Sequence, residues 1–270
     1  MFQPTVSIIV TTYNRRYELA ELFASLAAQT YQDFEVIIVN DAGEPVEDVV
    51  ALYPELSCHL IHLTENHYHV YARNCALKHV RGKFILLMDD DDLLLPTHLE
   101  VMTAELQDSD LVYSDVEIVN YRESHGHRIP VSHQLFAYHG ELTDMRKFST
   151  FVPSGSLYRA TIHQEIGDFD EAVRNYWDWD FFLRTAERFH VKRVPIASVL
   201  YAFSEEGNNQ SKQTDRMRNY LDRLSAKHNL GELPTMNFRL LLEEPEMKRR
   251  QAWSKRIWDG ESMPETRLKE

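Results

Sequence analysis

Residues 83–92 read Lys83-Phe84-Ile85-Leu86-Leu87-Met88-Asp89-Asp90-Asp91-Asp92, an apolar run that ends in four consecutive acids. A strand with no polar alternation is buried on both faces, as in a parallel sheet covered by helices. Such sheets bind ligands at the carboxyl ends of their strands. Carboxylates crowded there repel one another unless a hard cation or hydrogen-bond donors compensate them, and an oxygen-rich site suits Mg2+ or Mn2+ holding a phosphate. In an extended chain Asp89 and Asp91 share one face, with Asp90 and Asp92 on the other. The competing reading is a solvated acidic turn that favours the N-terminus of a helix starting near Pro96. Directly after a buried strand, the metal–phosphate site is the better expectation.

Outward from this stretch, strand and helix alternate. Residues 6–10 are a short β-rich run, followed by Asn14 as a helix cap. Leu19, Leu22, Phe23, Leu26 and Ala27 then fall at i, i+3, i+4, i+7 and i+8, one amphipathic face. Residues 34–39 predict a second strand ending at the turn Asn40-Asp41-Ala42-Gly43, and residues 60–63 a third. Residues 71–80 predict a helix with Ala72, Ala76, Leu77 and Val80 inward. Residues 83–88 are the fourth strand and 111–113 a shorter fifth. This order implies right-handed crossovers and an α/β fold with a mainly parallel sheet. Ligand-type residues recur after successive strands: Thr11-Thr12-Tyr13-Asn14, then Asp41, then Asn66, then the acids. One rim of the sheet collects them.

Beyond residue 115 the pattern is less regular. Residues 120–140, rich in His, Ser, Arg and Gly, predict a loop or hairpin, with His125 and His127 at the surface. Residues 178–189 predict a helix with Phe181, Phe182, Ala186 and Phe189 as its apolar face. After Ser211 the chain becomes polar and helical, with Met217, Tyr220, Leu221 and Leu224 on one stripe, and Pro234 and Pro245 divide this tail into short helices.

Composition removes several classes of function. The 270 residues are 43% hydrophobic and 26% charged, as expected of a folded globular chain. A formal net charge of −13 argues against broad binding to nucleic acid or anionic lipid. No apolar stretch reaches the length of a membrane span, and the N-terminus lacks the pattern of a signal peptide. The expected setting is the cytosol, free or peripheral at a membrane. Cys58 and Cys75 give neither a disulfide framework nor zinc spacing, and read as small buried hydrophobes. Phosphate-loop, dinucleotide-binding and Gly-x-Ser-x-Gly motifs are all absent. With only 9 glycines in the chain, a diphosphate has to be held by metal and side chains instead of a backbone cradle.

The segments VSIIVTTYNR, SLAAQTYQDFEVIIVNDAG and ARNCALKHVRGKFILLMDDDDLLLP, in that order, resemble the family-2 glycosyltransferases with the GT-A fold. The later stretch VPSGSLYRATIHQEIGDFDEAVRNYWDWDFFLR is similar to the acceptor half of the same family. The resemblance implies a GT-A domain over residues 1–211, with a nucleotide-sugar half (1–115) and an acceptor half (116–211), and leaves 212–270 as a helical C-terminal extension. Thr11 and Tyr13 lie where the family packs the nucleoside, Tyr13 offering a stacking face. Asp41 matches the carboxylate that accepts from a base N–H, which suits uracil or thymine. The family more often has two acids there, where this chain has Asn40-Asp41. Arg73 matches a donor-binding arginine. Asp89 and Asp91 match an Asp-x-Asp pattern: the first acids, Asp89 and Asp90, contact the donor, and Asp91 with Asp89 holds the divalent cation that bridges the diphosphate.

On the acceptor side Asp178 aligns with the acid that deprotonates the attacking hydroxyl in a single, inverting displacement. A helix cap is its ordinary alternative, and Asp180 is the next candidate for the base. The family has Glu-Asp where this chain has Trp177-Asp178, which bears on the acceptor preference. Trp177 and Trp179 offer flat faces for sugars, one of them being core. Ser154 and Gly155 resemble the loop that leaves room for the acceptor. The family's histidine that helps to hold the cation is missing from Tyr201-Ala202-Phe203-Ser204, with Glu205, Glu206 or Asn208 as nearby substitutes. The implied activity is metal-assisted, inverting transfer from a nucleoside-diphosphate sugar, with a UDP-sugar expected, to a glycan or glycoconjugate, as in polysaccharide biosynthesis. The rivals are a catalytically silent nucleotide-sugar or glycan binding module on the same fold, and a sugar nucleotidyltransferase, which the missing Gly-rich loop disfavours.

Overall fold

The computed structural model describes residues 3–124, 127–150, 152–203, 214–235 and 238–269. At its centre lie β1 (Val6–Thr12), β2 (Phe34–Asn40), β3 (Cys58–His62) and β4 (Phe84–Asp89), all parallel and ordered β4-β1-β2-β3. Helices α1 (Arg16–Ala27), α2 (Glu47–Ala51) and α3 (Tyr68–Leu77) connect them. Ile8 and Val10 of β1 pack with Val36, Ile38, Leu86 and Met88 on one face, while Ile9, Ile37, Val39, Ile85 and Leu87 pack on the other. Helices cover both faces, so the middles of β1, β2 and β4 carry apolar residues facing both ways. The register sets Thr11 beside Asp89 and Thr12 beside Asn40, which brings the polar strand ends level at one rim.

Past β4 the sheet reverses once. Strand β8 (Ser156–Arg159) is antiparallel to β4 and to β6 (Leu111–Ser124), and β6 is parallel to β9 (Val191–Ala202). Short β5 (Leu93–Leu94) pairs with β9, and β7 (His127–Phe136) forms a hairpin with β6. The sheet is mixed α/β with a mainly parallel centre, flanked by helices that include α4 (His98–Glu105), α5 (Leu142–Met145), α6 (Ile162–Ile166) and α7 (Trp177–Ala186).

Several local expectations change. The fifth strand extends to 14 residues as β6. Its alternation is masked because Asp115 and Glu117 are buried as ion pairs, Asp115 with Arg193 at 2.6 Å and Glu117 with Arg256 at 2.5 Å. Asn14 does not cap α1. It has φ +56°, and its Oδ1 accepts from the Glu44 N–H at 2.8 Å. Helix α1 is buried well beyond its predicted face, since Ala20, Glu21, Ala24 and Ser25 are covered too. The Ser25 hydroxyl accepts from Leu94 N–H of β5, and Arg128 of β7 pairs with Glu21. Of the two surface histidines, His125 and the side chain of His127 lie outside the described residues.

The segment after residue 211 contains α8 (Thr214–His228), α9 (Phe238–Glu243) and α10 (Pro245–Arg249), with Pro245 opening α10. It also adds an edge strand, β10 (Lys255–Arg256), parallel to β9. Arg267 pairs with Glu55 at 2.5 Å and fastens the end of the chain beside Tyr53. Among the described residues no helix is long and apolar enough to cross a membrane.

Candidate active site

The polar strand ends open into a cleft of about 850 Å³ that also meets α7 and the tail. Its walls include Thr11, Tyr13, Arg15, Asp41, Tyr68, His69, Arg73, Asp89, Asp90, Asp91, Trp177 and Asp178. On the β1–β2 side two loops are clasped together. The Asn40 side chain accepts from Gly43 N–H at 2.8 Å and donates to the Glu44 carbonyl at 2.7 Å. Gly43 is required for this approach, because a Cβ there would stand 2.8 Å from Asn14 N. Asp41 is held from both sides: its N–H donates to the Thr12 carbonyl at 3.0 Å, and its Oδ1 accepts from His67 N–H at 2.8 Å. Asn66 donates to the Asp41 carbonyl at 3.1 Å.

The acid run does not continue as extended strand. Asp92 N–H donates to the Asp89 carbonyl at 3.2 Å, closing a turn, so Asp89, Asp90 and Asp91 all reach the cleft and Asp92 does not. All four acids are compensated. Asp89 pairs with Arg73, a buried side chain whose guanidinium lies 4.3 Å from the Trp177 ring centre. Arg15 donates to Asp90 at 3.0 Å and to Asp91 at 2.6 Å. Burial pushes both carboxyls up and Arg15 pulls them back. Burial likewise opposes the Arg15 charge, but Asp91 and Asp90 outweigh it and keep the guanidinium protonated. Buried Asp92 accepts from the Ser154 hydroxyl at 2.5 Å and from Ala202 N–H at 2.9 Å. It thereby ties the end of β4 to β9 and to the 3-10 helix Pro153–Gly155.

Among the described residues no three His, Cys, Asp or Glu side chains converge as a metal site. Asp89 and Asp91 present carboxylates to the cleft, and each is bonded to an arginine. That donor set fits a divalent cation only if phosphate oxygens complete the shell. Glu205, Glu206 and Asn208 lie outside the described residues.

Across the cleft, Asp178 sits in the first turn of α7. No side-chain cap bond closes this helix, whose N-cap is Tyr176, so Asp178 is not a cap. Burial pushes its carboxyl up to about 6; the Trp179 N–H opposes this and the charge of Asp89 adds to it. His69, whose ring centre lies 6.3 Å from that of Trp177, donates its Nε2–H to the Arg174 carbonyl at 3.2 Å. Burial and then the Arg73 charge push this imidazole down to about 3, so it is neutral.

On the acceptor side Trp177 and Trp179 line the cleft, whereas Ser154, Gly155 and Asp180 do not. Ser154 and Gly155 are buried and do not line the cleft: Ser154 serves Asp92, and Gly155 packs against Ser114. Trp177 touches the cleft with one ring face covered by Arg73. Trp179, also buried, donates its indole N–H to the Met145 carbonyl at 2.6 Å. Asp180 is fully buried behind α7, where Arg184 at 2.8 Å, Lys227 at 2.7 Å and His228 at 2.8 Å surround it. Tail residues Met217, Leu221 and Leu233 line the cleft as well, which nothing local in the sequence signals. Arg15 had a signal, since it follows β1 at the same rim.

The chain belongs to glycosyl transferase family 2, whose family model matches residues 7–167, and it has the GT-A fold. "Uncharacterized glycosyltransferase YwdF" of Bacillus subtilis (strain 168) is 57% identical over 257 residues, covering 95% of this chain and 96% of that protein. Among solved structures, S. aureus TarS 1-349 in complex with UDP-GlcNAc matches with a TM-score of 0.65 at 21% identity, over 85% of this chain and 68% of that one. The mannosyltransferase PcManGT from Pyrobaculum calidifontis, in complex with GDP-Man and Mn2+, matches with a TM-score of 0.59 at 18% identity, over 90% of this chain and 70% of that one. The chain spans 43% of a longer S. aureus TarS chain that it also matches. At such identities these structures establish the common fold.

The surroundings of Asp180 generate a stability prediction. Burial alone would raise its carboxyl, but His228, Arg184 and Lys227 reverse this and hold it at about 2. Because the folded value lies below the unfolded one of about 3.9, its contribution is full above pH ~4 and is lost as pH falls toward 2. Asp180→Ala is expected to cost about 3 kcal/mol at pH 7 by leaving buried cations unpaired. Urea unfolding of both proteins from pH 7 down to 2.5 should show the gap narrowing below pH ~4. An unchanged stability at pH 7 would contradict this role.

Proposed function

We propose that this chain transfers a sugar from a UDP-sugar to a hydroxyl of a glycan or glycoconjugate, with inversion at the anomeric carbon. The observation that carries the reading is one cleft lined by Asp41, the Asp89–Asp91 acids and Asp178 together. Asp41 is fixed through one carboxylate oxygen by His67 N–H, which leaves the other to accept from the N3–H of a pyrimidine. The flat face of exposed Tyr13 supports the ring. Arg73 and Arg15 supply cations at the diphosphate position.

The residues fit a cation shared with the diphosphate, held by Asp91 with Asp89, which would act as a Lewis acid toward the departing UDP. Asp178 takes the proton of the acceptor hydroxyl as it attacks. A carboxyl raised to about 6 suits that task, since it is ionised at neutral pH yet more basic than an exposed aspartate. Trp177, Trp179 and the tail residues Met217 and Leu221 give the cleft apolar surface.

Three outcomes follow. UDP or dTDP should bind at least ~10-fold more tightly than GDP, about 1.4 kcal/mol, and Asp41→Ala should erase the preference. Equal calorimetric affinities across the nucleotides would sink the base assignment.

Asp178→Asn should lower turnover roughly 100-fold or more while donor affinity barely changes. Wild-type kcat/KM should fall as pH drops through about 6, where the base becomes protonated. Near-full transferase activity in Asp178→Asn would place the base elsewhere.

Mn2+ should bind the free protein weakly and should bind together with UDP cooperatively, each tightening the other by the same factor. Micromolar Mn2+ binding that UDP does not change would reveal a complete protein-built site.

A further inference from the structure

Non-glycine residues seldom adopt positive φ, and for a bulky side chain the left-handed region is an outlier. Among the described residues four do so: Asn14, Ala42, Tyr68 and Asn229. The first three surround one place, since Asn14 follows Tyr13, Ala42 follows Asp41, and Tyr68 follows His67, the residue that binds Asp41. Asn and Ala are small enough to be ordinary turn residues. Tyr68, with φ +69°, is not. Backbone strain of this sort is retained where the surrounding structure has a use for the side chain.

The position of Tyr68 supplies the use. It lines the cleft and leaves 43% of its surface exposed, much like Tyr13 at 49%. Arg174 lies 3.9 Å from the ring centre and covers one of its faces. The hydrogen bonds around Asp41 tie it to the two segments that carry the tyrosines. Asp41 N–H donates to the Thr12 carbonyl, next to Tyr13, and Asp41 Oδ1 accepts from His67 N–H, next to Tyr68. Both cleft-lining tyrosines thus stand one residue away from a backbone group bonded to Asp41.

We infer that Tyr68 is a base-binding residue of the donor site, stacking on the pyrimidine from the side opposite Tyr13. Resting on the donor reading above, this adds a contact to it. Asp41 selects the edge of the base through its N–H, while the two phenol rings accept a flat heterocycle between them. Stacking of this kind is tolerant of base type, so the choice against GDP stays with Asp41. Arg174 holds the ring from behind, so little side-chain freedom is lost when the base arrives.

The test uses the full chain, with UMP, UDP and GDP titrated calorimetrically into wild type, Tyr68→Phe and Tyr68→Gly, and with Tm recorded for each. Tyr68→Phe keeps the ring and should bind UDP within about 2-fold of wild type, a factor small beside the stacking contact. Tyr68→Gly should weaken UMP and UDP by the same factor, about 10-fold or more, because a stacked base is lost and the phosphates are not touched. Glycine accepts positive φ without strain but gives up the Arg174 contact, so Tyr68→Gly should still unfold cooperatively, with a Tm only a few degrees lower. Wild-type UDP affinity in Tyr68→Gly overturns this inference and leaves the donor reading standing. Losing affinity for UDP but not UMP, or losing cooperative unfolding along with affinity, also overturns it, since Tyr68 would then act on the diphosphate site or on the fold. A wild type that binds no uridine nucleotide overturns the donor reading and this inference together.

Discussion

Four carboxylates at the end of one buried strand are the constraint on which the cleft depends. No such cluster survives burial without compensation, and the acids draw it from several parts of the chain. Asp89 takes Arg73 from α3, and Asp90 and Asp91 take Arg15 from the loop after β1. The Asp91 carbonyl takes Arg128 from the β6–β7 hairpin at 2.7 Å. Asp92 takes Ser154 and the backbone of β9. The acids therefore organise the rim as well as lining it: without them, little obliges these segments to meet at one point. A diphosphate bound here enters a network of arginines already engaged with carboxylates, so its charge has to be met by sharing those arginines or by bringing a cation with it.

The central fold was legible because its strands are buried twice over. Residues 84–88 carry no polar side chain, and β1 and β2 have nearly the same pattern, so helices on both faces could be inferred before any contact was known. The rim was legible for a related reason: in a parallel sheet every carboxyl end points the same way, and a polar residue after each strand has to arrive on one side. The outer sheet was not legible. In β6 the residues that break the apolar pattern, Asp115 and Glu117, are buried against Arg193 and Arg256. Those partners stand 78 and 139 positions further along the chain, beyond any local window.

Resemblance to a family located the acceptor half in the chain but gave no direction to its side chains. Ser154 and Gly155 fall in the expected loop, yet Ser154 turns inward because Asp92 needs a donor there. Trp177 has the flat face expected of a sugar platform, and Arg73 occupies it. The reverse holds for Tyr68, which nothing in the sequence marks out. Only the backbone angle and the hydrogen bond at the preceding residue single it out.

Asp178 and Asp180 show how far environment decides the fate of one residue type. They stand two positions apart on α7, about 200° around the helix, and so they face opposite ways. Asp178 faces a cleft with another acid across it, and burial raises its carboxyl to about 6. Asp180 faces the tail helix, where His228, Arg184 and Lys227 overcome the same burial and lower it to about 2. The two roles depend on each other mechanically. As the base proposed above, Asp178 needs a helix that does not rock, since side chains on rigid elements hold their geometry better than those on loops. Asp180 supplies that rigidity by bolting α7 to α8 from behind, and Arg146 adds bonds to the carbonyls of His228 and Asn229 at the end of α8, at 2.7 and 3.0 Å. The tail helix that contributes Met217 and Leu221 to the cleft is thus the same one that fixes the orientation of Asp178.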